Sequence, residues 1–185
     1  MKAFSFLEVI ISVVIASIVF VAVFALAFQN LTAAEVTRDR FIAANLAQEG
    51  IEAVVNMRSG NWLNFKDDVD LTDGSLTKWR GETGCAAGDV NCLVAGAYIV
   101  QYNTTAAMPD TNALYNPSLV ADASGKYCHI ALNAQDGCAQ NKSTLFSRTI
   151  RIEDIPGNNH QMKVVVTVSW PDGTVQVESR LYNWR

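Results

Sequence analysis

The sequence predicts an α+β fold, with one long N-terminal helix packed over its outer half beneath a C-terminal antiparallel sheet. Three observations carry this expectation. An apolar run opens the chain, a helix-favouring stretch without Pro follows it, and β-branched segments joined by turn signals close it.

From Val9 to Phe28 every residue is apolar or small, with Ser12 and Ser17 the polar interruptions. At about 1.5 Å per helical residue this run spans roughly 30 Å, the hydrocarbon thickness of a bilayer. A secretory signal has a shorter apolar core and a small-x-small site behind it. The residues Gln29-Asn30-Leu31-Thr32 offer no such site. Lys2 ahead of the span favours an N-terminus left inside. One carboxylate, Glu8, stands at the mouth of the run. At bilayer depth a charge costs about 2.5–3.5 kcal/mol, so Glu8 is a candidate functional group.

The helix is expected to continue. Between Leu31 and Met57 there is no Pro, and Gly50 is the one Gly. Ala43, Ala47, Gly50, Ile51 and Val54 recur at helical spacing as a small-residue apolar stripe. Most of Glu35, Arg38, Asp39, Asn45, Gln48, Glu49 and Glu52 fall elsewhere on the wheel. Such a stripe admits close approach by a covering sheet. Ser59-Gly60 reads as a C-cap with Arg58 in the last turn, giving a helix from about Phe4 to about Arg58.

Between Asn61 and Asn141 the chain is rich in Gly, Asp, Asn and Thr. Ala97–Tyr102 and Tyr127–Leu132 read as strands, and Thr104–Ser118 and Asn133–Ser143 as loops. The C-terminal quarter alternates more clearly. Leu145–Ile155 places Phe146, Ile150 and Ile152 on one side; Met162–Trp170 places Val164, Val166, Val168 and Trp170 together. Thr174–Trp184 follows, with Val175, Val177 and Leu181 on one face. Gly157-Asn158-Asn159 and Pro171-Asp172-Gly173 are the turns, the second read as Pro presetting φ and Gly accepting a positive one. These segments make a three-stranded meander whose apolar face covers the helix stripe.

Composition narrows the function. A formal net charge of −4, without any basic run, argues against a nucleic-acid surface. The four cysteines, Cys85, Cys92, Cys128 and Cys138, all follow the apolar run and read as a disulfide framework in an oxidising compartment. Of the three connectivities, Cys85–Cys92 with Cys128–Cys138 is favoured because each closes a short polar loop, worth about 2–3 kcal/mol on the chain-entropy view. A zinc site using His129 beside Cys128 is the rival, but the spacings exceed those of zinc knuckles.

Enzymatic signals are weak. His129 and His160 read as structural or exposed, and Ser169, Asp172 and His160 lack a Gly-x-Ser-x-Gly elbow. There is no phosphate loop and no EF-hand pattern. Trp62, Trp79, Trp170 and Trp184 read as packing residues.

The segment Ala3-Phe4-Ser5-Phe6-Leu7-Glu8-Val9-Ile10-Ile11 resembles the N-terminal processing motif of type IV pilins and type II secretion pseudopilins. In that family a small residue, usually Gly, precedes the cut, the new N-terminus is usually Phe, and Glu stands fifth from it. The resemblance implies a leader of residues 1–3, cleavage between Ala3 and Phe4 by a prepilin peptidase, and methylation of the new amine. Ala3 stands where Gly is usual. Glu8 is then expected to pair with the Phe4 amine of a neighbouring subunit. Many members carry Pro or Gly within the span; none lies between Phe4 and Gln29, so a more continuous helix is expected here.

More loosely, Gln48-Glu49-Gly50-Ile51-Glu52-Ala53 followed by Trp62, and a closing Val-Ser-Trp hairpin, are similar to minor pilins of the pilus-modification type. The implied plan is a pilin-like lollipop: an assembly half of the helix at 4–28, an amphipathic half at 29–58, and a head at 59–185. The implied activity is assembly rather than catalysis, with no cofactor. Calcium occurs in some pseudopilins, and Asp67, Asp68, Asp70 and Asp73 are the acidic cluster that could take it. Implied partners are the peptidase/methylase, other pilin or pseudopilin subunits, an inner-membrane platform and lipid. The implied location is the inner membrane, single-pass with an extracytoplasmic head, and then a filament. A minor pseudopilin of type II secretion shares every one of these features. A signal-anchored binding or enzymatic domain is the alternative from another class.

Overall fold

The computed structural model describes residues 6–64, 78–80, 93–99, 108–109, 118–121, 125–129 and 142–183. These fall into two compact units that meet in sequence between Phe41 and Ile42. One helix, α1, runs without interruption from Phe6 to Asn64. The second unit adds a short 3-10 turn at Lys78–Arg80 and seven strands: β1 Gly96–Ile99, β2 Met108–Pro109, β3 Ser118–Ala121, β4 Tyr127–His129, β5 Lys142–Ile155, β6 Asn158–Trp170 and β7 Gly173–Tyr182.

The meander expected from alternation is present as β5–β6–β7, antiparallel throughout. It belongs to a larger sheet. On one edge β5 pairs with β6; on the other it pairs with β3 through Ser118–Ser147 and Ala121–Lys142, and with β1 through Gly96–Ile152 and Tyr98–Ile150. β3 and β1 therefore share that edge in tandem, each carrying a further strand, β4 and β2. At fourteen residues β5 is long enough to serve both.

The core lies between the inner face of this sheet and the part of α1 that follows Ile42. Phe146, Ile150, Ile152, Met162, Val164, Val166, Val168 and Trp170 are buried from the sheet, and Ala43, Leu46, Ala47, Val54 and Met57 from the helix. The closest approach is at Gly50, where a Cβ would sit 2.9 Å from a Val166 methyl and 3.3 Å from Ile150 Cδ1. That explains the stripe: small residues let α1 sit directly on the β-branched floor of β5 and β6.

Several details differ from expectation. Strand residues fall inside both expected loops, Met108–Pro109 and Ser118 in the first and Lys142 and Ser143 in the second, because short or edge pairing gives no periodic signal. Helix α1 does not end at Arg58 but continues through Ser59 and Gly60 to Asn64. Tertiary packing outweighs the cap signal here. Asn61 is buried and donates to the Trp79 carbonyl, Trp62 packs on the core, and the Ser59 hydroxyl donates back to the Val55 carbonyl instead of ending the helix. The first turn is Pro156-Gly157, with Gly157 at φ 76°, and Asn158 already belongs to β6. Gly173 is required for space rather than for a positive φ, since its Cβ would meet the Trp170 ring at 2.8 Å.

Val175 and Val177 are half-buried, not fully buried, because β7 pairs only with β6 among the described strands. The strands expected at Ala97–Tyr102 and Tyr127–Leu132 appear as β1 and β4, their C-terminal residues lying outside the described set.

Candidate functional site

Residues 6–38 form a helix in which every residue is exposed. No charged residue occurs from Val9 to Ala34, about 39 Å of helix at 1.5 Å per residue. None of this apolar stretch is buried, and the helix is long and apolar enough to cross a membrane. Its few hydroxyls are satisfied locally. Ser12 donates to the Glu8 carbonyl at 2.7 Å, Ser17 to Val14 at 2.8 Å, and Thr32 to Phe28 at 3.1 Å. Such back-bonded hydroxyls sit in apolar surroundings at little cost.

The Glu8 carboxylate is different. It lies in the first turn of α1, where the helix dipole favours a negative charge. No described side chain pairs with it, and an acid cannot satisfy itself by back-bonding as a hydroxyl does. Ala3 and Phe4 lie outside the described residues. The helix across the apolar run shows no break, as the lack of Pro and Gly in it predicts.

A second polar cluster lies inside the other unit; period-2 alternation puts its arginine on the inward face but does not identify its partners. Arg148 occupies the inward position on β5 between Phe146 and Ile150, and its side chain is fully buried. One guanidinium nitrogen, Nη1, donates both to the Leu46 carbonyl at 3.0 Å and to Glu49 Oε1 at 3.1 Å. The arginine thus fastens the central strand to the helix. A buried cation is tolerable only with such partners, and removing one strands the other.

His129, at the end of β4, is fully buried in the same unit. Burial, and then the nearby Arg148 charge, push its imidazole down to about 3 from 6.5. The folded protein therefore holds His129 neutral, whereas the unfolded chain protonates near pH 6.5. Its contribution to stability is full above pH 6.5 and declines as pH falls toward 3. Urea titrations of the detergent-solubilised chain between pH 6 and 4 should show stability falling with a slope approaching about 1.4 kcal/mol per pH unit from this group. His129→Gln should flatten that slope. An unchanged slope in the variant would assign the acid sensitivity elsewhere.

Cys128, beside it, is disulfide-bonded. Its possible partners Cys85, Cys92 and Cys138 lie outside the described residues, so the pairing does too. The acidic cluster Asp67, Asp68, Asp70 and Asp73 also lies outside them, as does Trp184. Trp79 and Trp170 are core residues and Trp62 packs against them. Ser169, Asp172 and His160 do not form a catalytic set. Ser169 and His160 stand near opposite ends of β6, about 30 Å apart at 3.3 Å per residue.

Comparisons with family models, with curated proteins and with solved structures returned no match.

Proposed function

We propose that this chain is a minor subunit of a type IV pilus-like filament, held in the inner membrane by residues 4–28 until it is assembled. The single observation that carries the proposal is Glu8. It is the one acid at the mouth of a fully exposed apolar helix, spaced from Phe4 as in the prepilin processing motif. Support also comes from the continuation of the same helix onto an antiparallel sheet through a small-residue stripe.

In this reading a prepilin peptidase cuts between Ala3 and Phe4 and methylates the new amine. The apolar helix waits in lipid with Glu8 near the headgroups, where the cost of its charge is small. An ATP-driven platform then extracts the subunit. As helices bundle, Glu8 enters a low-dielectric core and meets the amine of a neighbour's Phe4, so two unfavourable charges become one ion pair. The head, tied by its disulfide and by the Arg148 clamp, is carried outside as a preformed unit.

The test is fractionation. In cells with an active assembly ATPase the chain should appear in the sheared-filament fraction; without the ATPase it should remain in the inner membrane. Retention in the membrane under both conditions would point to a permanent anchor.

A further inference from the structure

We infer that residues 30–41 of α1 dock front to back on α1 of a second copy, whose Glu35 is received between Arg38 and Arg40 of the first. The inference rests on the filament reading, which sets neighbouring helices parallel with Glu8 of one level with Phe4 of the next. At 3.6 residues per turn, Glu8, Ala16, Val23, Asn30 and Thr37 fall on one face of α1. Toward the end of this face the charges are sorted by side. Arg38 and Arg40 flank it about 80° to either side, whereas Glu35 and Asp39 lie around the back. Arg38, Arg40 and Glu35 are all exposed, and among the described residues none of the three takes part in an ion pair. A surface groove lined by Asn30, Ala33, Ala34, Thr37, Arg38 and Phe41 runs along the same front. Its small side chains admit a close helix. Front and back of this stretch are thus opposite in charge, so the chain carries its own complement.

Height along the helix agrees with charge. Setting Glu8 level with a neighbour's Phe4 shifts the second helix by four residues, about 6 Å. The same shift brings the neighbour's Glu35 level with Asp39, midway in height between Arg38 and Arg40. Glu8 lies on the face that the two arginines flank, so a single neighbour meets all three. Front-to-front packing would instead gather four arginines, and like charges across an interface are costly. A front-to-back contact leaves the outer side of each copy open for the next, so it propagates as a filament does. Because the helices stay parallel, every apolar run enters the membrane or the filament from the same side. Copies of the subunit then stand next to one another in the filament.

The test is disulfide cross-linking in sheared filaments from cells that make the full chain. Thr37 lies on the front and Thr32 around the back, and the four-residue shift sets them within one residue of the same height. A chain carrying both Thr32→Cys and Thr37→Cys should give a ladder of cross-linked copies on mild oxidation, and either substitution alone should give none. Added to that chain, Glu35→Arg should cut the cross-linked share by about tenfold or more, as should Arg38→Glu together with Arg40→Glu. All three reversals combined should restore it, which also shows that neither change acts by unfolding. Cross-linking by Thr37→Cys alone would mean front-to-front packing and overturn the inference. So would filaments that hold the double-cysteine chain without cross-links between its copies, cross-linking indifferent to charge reversal, or failure of the combined reversal to rescue. A chain absent from filaments altogether overturns the filament reading, and this inference with it.

Discussion

Glu8→Ala should insert into the inner membrane at least as well as the wild type and yet be nearly absent from filaments. Insertion should not suffer, because the substitution removes a charge costing up to about 3 kcal/mol at bilayer depth. Assembly should suffer because the neighbour's Phe4 amine then enters an apolar core without its counter-charge. Breaking a buried pair from one side costs about 3–5 kcal/mol, so incorporation should fall more than about a hundredfold. Glu8→Gln should behave similarly, since the amide keeps the shape and loses the charge. Immunoblots of membrane and sheared-filament fractions read both halves of the result. Equal filament shares for wild type and Glu8→Ala would remove the charge-pairing argument.

The second large effect belongs to Gly50. Gly50→Leu should destabilise the unit beyond Ile42 by more than about 3 kcal/mol, because a branched side chain has no room on the floor made by β5 and β6. The Cβ alone would stand 2.9 Å from a methyl of Val166, which is buried and, being β-branched, has little freedom to turn aside. Gly50→Ala is the more discriminating change. Alanine favours the helix by about 1 kcal/mol, whereas overpacking costs about 1–3 kcal/mol, so a modest net loss is expected. Thermal unfolding of both variants checks this. A higher melting temperature for Gly50→Ala would mean that the helix and sheet are not in this close contact.

Much of this was legible because it rests on local periodicity. The apolar run from Val9 to Phe28, the stripe through Ala43, Ala47, Gly50 and Val54, and the alternation in β5 and β6 each need only a short window of sequence. Long-range pairing was not legible. Alternation places Arg148 on the inward face of β5 with Phe146 and Ile150, but its partners Leu46 and Glu49 lie 102 and 99 residues away. The tandem docking of β1 and β3 on one edge of β5 is likewise invisible to periodicity, since each is only four residues long. The end of α1 was misplaced because a Ser-Gly pair resembles a cap until Asn61 and Trp62 find partners beyond it. At the candidate site, Glu8 was legible as an acid against an apolar background, and the hydrogen-bonding of its neighbours, Ser12 and Ser17, was not.

The filament proposal stands on the cut that creates a free amine four residues before Glu8. Mass spectrometry of the N-terminal peptide from cells holding a prepilin peptidase tests it most directly. The predicted result is a chain that begins at Phe4 and carries a methyl group on its amine. A chain that retains Met1 to Ala3, with no methylated Phe4, would contradict it.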